Sequence, residues 1–164
     1  MTPMTPMTPM TLAALLDPDR VFSLAGTLAM LGWLALAVSP AGARWAPAAR
    51  RFAGLFVPLL LAVGYVVLFG RAGMGDGGYE SLAAVGRLLA DPGRLAAGWL
   101  HYLAFDLFVG AWIAGRAAEH GIAHWLLLPI LALTFLFGPA GLLAYAALRL
   151  AMAARNPVPA RSTR

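Results

Sequence analysis

The chain has 164 residues, of which 61% are hydrophobic and 12% charged, and its mean hydropathy is +0.77. A soluble domain is roughly 45–50% apolar and about 25% charged, so disorder, coiled coil and an ordinary water-soluble enzyme are excluded at the outset. Twelve arginines, no lysine and seven acids give a net charge of +5. The arginines stand singly or in pairs at the ends of apolar runs, the placement of membrane-flanking charge and not of a nucleic-acid face. With no cysteine, disulfides, thiolate chemistry and Cys-ligated metal are removed as well.

Residues 1–16 open with three Met-Thr-Pro repeats and are expected to form a disordered tail, with Met10 one of four candidate start methionines. Asp17-Pro18 then pairs an N-cap with proline at the first helical position. Spans are expected at 21–38, 52–69, 95–115 and 125–148, each close to the roughly 20 residues that cover a bilayer core. The third opens on a second Asp-Pro pair, Asp91-Pro92. Asp17 and Asp19 leave the first span without the basic approach of a signal peptide, so it is read as retained. Gly70 to Gly78 is glycine-rich and expected to be flexible, and it lacks the preceding strand that a dinucleotide loop requires. Beyond it, Leu82, Val85, Leu88 and Leu89 recur at helical spacing opposite Glu80 and Arg87, as in a helix lying on the bilayer surface.

The expected fold is therefore all-α. It is an integral membrane four-helix bundle, one domain over 17–153, with a short interfacial helix between spans 2 and 3 and a C-terminal tail at 154–164. Four crossings put both termini on one side, and the arginine count puts that side in the cytoplasm. The all-arginine usage fits a GC-rich bacterial gene, which makes a bacterial inner membrane the expected location.

Asp106 lies near the middle of the third span, where a charged Asp costs about 2.5–3.5 kcal/mol on insertion scales. Two roles explain it: a proton carrier, or a carboxyl hydrogen-bonded to a neighbouring helix. His101 precedes it by five residues, which is about 140° away on the helical wheel and about 7.5 Å along the axis. The two mark the edges of a wedge that holds Gly98, Tyr102, Phe105 and Val109. Gly98 lets a backbone or flat ligand approach closely, and aromatic rings between two proton carriers suit an apolar ligand with an oxygen function. In the fourth span, Pro139 of Phe137-Gly-Pro-Ala-Gly141 frees the carbonyl of Phe135, which falls at a depth similar to that of Asp106. A kink that only shapes packing is the other reading.

Weaker signals are also present. His120 and His124 stand at a metal-chelating spacing, but Gly121 between them points to an ordinary turn. Ala97, one turn before His101, leaves room for a macrocycle on the imidazole. Neither spacing is specific, and no metal or cofactor is expected. A proton-coupled transporter fits an intramembrane Asp beside a broken helix, although internal repeats are missing.

Trp99-Leu-His101-Tyr-Leu-Ala-Phe-Asp106-Leu-Phe108, followed by Phe137-Gly-Pro139-Ala-Gly141, resembles the abscisic-acid-deficient-four-like membrane family. The resemblance covers about residues 20–150 and includes the Trp33 to Pro40 end of the first span. Plant members of that family are plastid proteins required for making neoxanthin from violaxanthin. The resemblance implies a carotenoid- or isoprenoid-type ligand and an isomerase-type reaction, in which an epoxide opens and a proton leaves with no net oxidation. Such a reaction needs an acid at the epoxide oxygen and a base at the departing proton. His101 and Asp106 are the intramembrane groups for those roles, in either assignment, with Gly98, Trp99, Tyr102, Phe105 and Pro139 at the substrate. The chain departs from the family pattern at Ala111, where members carry Arg, and at Arg116, where they carry an acid. The alternative is a non-catalytic membrane subunit that packs on a larger, pigment-associated complex.

Overall fold

The computed structural model describes residues 16–155. Their regular elements are helices: α1 (Pro18–Ala37), α2 (Ala46–Arg51), a π-helical turn (Phe52–Phe56), α3 (Val57–Ala72), α4 (Leu82–Leu88), α5 (Pro92–Glu119), α6 (His124–Phe137) and α7 (Pro139–Arg155). The expected tails fall outside the described residues except at Leu16, Ala154 and Arg155, and α7 continues to Arg155. Both Asp-Pro starts form as expected. Asp17 accepts from the Arg20 N–H at 3.2 Å and Asp91 from the Arg94 N–H at 3.0 Å, each satisfying a donor that the first helical turn leaves open.

Three helices are long and apolar enough to cross a membrane: α1, the continuous run Ala46–Ala72, and α5. Leu59, Leu60, Val63, Val66 and Val67 of α3 are exposed, a face that matches lipid tails and not water. The first three expected spans therefore stand, each lengthened at one end or both.

The fourth does not form one span. Gly138 takes φ +33° and ψ −87°, a left-handed conformation that favours glycine, and divides the apolar run into helices of 14 and 17 residues. At 1.5 Å per residue these are about 21 Å and about 26 Å long, each short of the roughly 30 Å hydrocarbon core. Pro139 occupies the first position of α7, where its missing N–H costs nothing. The two helices fold onto each other. A β-carbon on Gly141 would lie 2.5 Å from the Thr134 Cα, so α7 crosses α6 at nearly backbone contact. The Thr134 hydroxyl at that crossing is buried and donates to the Ile130 carbonyl at 2.7 Å.

The described chain packs as two compact units. One comprises the residues up to Leu28 with Leu59–Ala104. Leu61, Leu68, Ala84, Leu88, Ala97 and Leu100 are buried there, and Gly64 gives room to the Leu100 side chain. Two arginines make hydrogen bonds at and across the glycine-rich loop. Arg94 donates through Nε to the Leu88 carbonyl (2.6 Å) and through Nη1 to the Ala72 carbonyl (3.2 Å), and Arg87 donates to the Asp76 carbonyl (3.0 Å). Ser81 caps α4 by accepting from the Ala84 N–H. Leu88 of the expected apolar face is buried, whereas Leu82 is exposed.

The other unit comprises Ala29–Pro58 and the chain from Phe105 onward. Its core is built around Trp33, which is 6% exposed. The indole lies over Gly110, where a β-carbon would come within 2.5 Å of it, and the Phe135 ring meets it edge-on at 5.6 Å. In this unit the direction of α7 can be read from two contacts. Asp106 lies against Gly138, and the rings of Trp112 and Tyr145 meet at 5.8 Å. Going from Asp106 to Trp112 along α5 thus matches going from Gly138 to Tyr145, so α7 runs parallel to that half of α5, back toward the end where α6 began. The expected four-helix bundle gives way here to three crossing-length helices and a hairpin of two short ones.

Candidate functional site

The first unit contains a cavity of about 530 Å³ lined chiefly by apolar groups. The N-terminal half of α5 supplies Leu95, Gly98, Trp99 and Tyr102, the start of α1 supplies Phe22, and the end of the α4 segment supplies Leu89. Trp99 stacks on Tyr102 with ring centroids 5.2 Å apart, and Phe22 packs on Trp99 at 5.6 Å. Because Trp99 and Tyr102 are three residues apart on a helix, their rings share a face and form one wall. Gly98 leaves that wall open beside them, with Leu89 Cδ2 at ordinary contact distance from where a β-carbon would stand. Asp19 is exposed at the rim. The result is an apolar trough with an aromatic face and a polar margin, of the size range that takes small apolar ligands.

Three of the residues singled out from sequence, Gly98, Trp99 and Tyr102, thus come together in one cavity. Phe105 is exposed and lies outside its lining. His101 is also on an exposed face, with its ring 5.8 Å from that of Tyr65. Ala97, by contrast, is fully buried, so the space for a macrocycle that its size suggested is taken up by core packing.

Asp106 and Pro139 belong to the second unit. The Asp106 carboxyl packs against Gly138, whose β-carbon would lie 2.9 Å from both Cγ and Oδ2, and Oδ2 is shielded from solvent. The side chain therefore stands at the start of α7, where the first-turn N–H groups favour negative charge. Pro139 itself is exposed. The Phe135 carbonyl was expected at the depth of Asp106, and the carboxyl does reach this turn, three residues beyond Phe135. His124 is engaged elsewhere: its Nε2 lies 2.8 Å from the Ala37 carbonyl at the end of α1. Among the described residues no group of three or more His, Asp or Glu is placed to hold a metal.

Phe22, Leu89 and Leu95 were missed from sequence, and nothing in their spacing distinguishes them from ordinary lipid-facing residues. Gly138 was missed as the partner of Asp106 because the fourth apolar run was read as one helix. No curated protein and no solved structure matches the chain. A family model described as ABA DEFICIENT 4-like matches residues 20–145, which includes both halves of the aromatic trough, Asp106 and the Gly138 turn. The chain belongs to the ABA DEFICIENT 4-like family.

Proposed function

We propose that this membrane protein binds a carotenoid- or isoprenoid-type polyene by one end in the aromatic trough and modifies it as an isomerase. The observation that carries this reading is the wall formed by Phe22, Trp99 and Tyr102 along a cavity of about 530 Å³. Conjugated chains stack on such rings through dispersion and offset π contact. In the reaction proposed, a protonated group gives its proton to an epoxide oxygen as the carbon–oxygen bond opens, and a basic group removes a proton from carbon. Atoms and electrons balance, and the product is an isomer of the substrate. His101 and Asp106 are the proton-transfer candidates of this reading; neither lines the trough, His101 belonging to the same unit and Asp106 to the other.

The test is chromatography and mass analysis of carotenoids after supplying an epoxide-bearing carotenoid to membranes that contain the protein. The expected result is a new species of unchanged mass. Its formation should fall about 10²–10⁴-fold in His101→Ala and in Asp106→Asn, the range for a lost general acid or base, with the variants still folded. An unchanged carotenoid profile, or wild-type turnover in both variants, overturns the proposal.

One observation favours a second reading. The Asp106 carboxyl is packed onto the Gly138 turn, as suits a side chain that fixes a hairpin in a non-catalytic subunit of a larger membrane complex. On that reading Asp106→Asn loosens the fold, and a stoichiometric partner co-purifies after mild solubilisation.

A further inference from the structure

The second unit carries another cavity, of about 510 Å³, where α2 passes through the π-helical turn into the apolar segment. Its rim holds Arg50 and Arg51, the last residues of α2. Its floor and walls are Gly54, Leu55, Phe108 and Trp112. Gly54 makes the trough shallow-backed, because a β-carbon there would lie 2.7 Å from the Ala111 Cβ. Leu55, Phe108 and Trp112 are all exposed, so the apolar part faces outward along the helices. Neither arginine side chain has an ion pair or hydrogen bond with another described residue, whereas that of Arg116, on α5, is paired with Glu119. The apolar run begins at the next residue, Phe52, and arginines that border such a run favour the level of the lipid phosphates.

Two uncompensated cations above an apolar channel match a molecule with an anionic head and a hydrocarbon tail. Guanidinium groups bind phosphate oxygens through paired N–H donors. The π-helical turn adds a second mark, since such turns are rare and recur at functional sites. We infer that this trough is a binding site for an anionic phospholipid, with its phosphate on Arg50 and Arg51 and an acyl chain along Leu55, Phe108 and Trp112. The site is separate from the aromatic trough and does not depend on the function proposed for it.

The test is native mass spectrometry of the full chain, taken from mild detergent after equilibration with phosphatidylglycerol, with phosphatidylcholine, or with inorganic phosphate. The expected result is a single retained phosphatidylglycerol. Retention should fall about thirtyfold in the Arg50→Gln/Arg51→Gln double variant, and about fivefold in Arg51→Gln alone, as expected for surface cations lost next to a bilayer. Arg116→Gln, which removes a charge outside the trough, should retain the lipid as the wild type does. Should the double variant fail to fold, the single variant of the exposed Arg51 decides. Equal retention of phosphatidylcholine, retention unchanged in the arginine variants, or inorganic phosphate displacing the lipid overturns the proposal.

Discussion

Gly138 and Asp106 define each other. The carboxyl fills the space that any side chain on residue 138 would need, and the backbone there has φ +33°. Gly138→Ala therefore meets two penalties, a strained left-handed conformation and a collision, together about 2–6 kcal/mol. Thermal unfolding in detergent should show the loss, and Asp106→Ala in the same chain should return part of it, since the two sites share one contact. Additive effects would mean that the carboxyl does not occupy the glycine's space. At this scale much was legible from sequence. Each Asp-Pro pair announced a cap that forms, and the closeness expected between Asp106 and the block from Phe137 to Gly141 is met at Gly138. The partner was not legible, because a glycine's φ leaves no trace in hydropathy.

The elements follow from apolar run length where a run is one helix, and fail where it is two. Trp125 to Leu148 reads as a single span because hydropathy records apolarity and not chain direction. Its reversal at Gly138 depends on Gly141 admitting the Thr134 backbone, a contact that only the folded hairpin contains. The loop before α5 holds contacts that a local reading does not contain. Its glycines predict freedom, but Arg94 reaches carbonyls 6 and 22 residues away, and pairings at that separation are invisible to a local reading. Hydrogen bonds from a charged donor contribute about 1.5–3 kcal/mol each. Arg94→Gln should accordingly speed amide exchange across residues 73–91 while leaving α3 and α5 protected. Exchange unchanged in that segment would show that the glycine-rich loop is held by other means.

For the whole molecule, the hairpin changes what the sequence implied about membrane sidedness. The expectation of cytoplasmic termini rests on four crossings, and α7 runs back toward the beginning of α6. Arg149 and Arg155 are then counted with Arg44, Arg50, Arg51 and Arg116, six described arginines against the four at Arg20, Arg71, Arg87 and Arg94, which reverses the bias behind that expectation. Because the chain contains no cysteine, single-cysteine labelling reads this cleanly. Gly121→Cys and Arg155→Cys should react with an impermeant thiol reagent from the same side of the membrane. Labelling from opposite sides would restore the fourth crossing.

The proposed function has a member of the ABA DEFICIENT 4-like family hold a polyene against Phe22, Trp99 and Tyr102. Its most direct measurement is the absorption spectrum of the full chain, purified in mild detergent from a carotenoid-containing membrane, with solvent extraction and mass analysis of what is bound. The expected result is a structured polyene band from an extractable carotenoid, reduced about two- to tenfold in Trp99→Ala, in line with the 0.5–1.5 kcal/mol of one aromatic contact. A colourless wild-type protein, or a band that Trp99→Ala leaves intact, would contradict it.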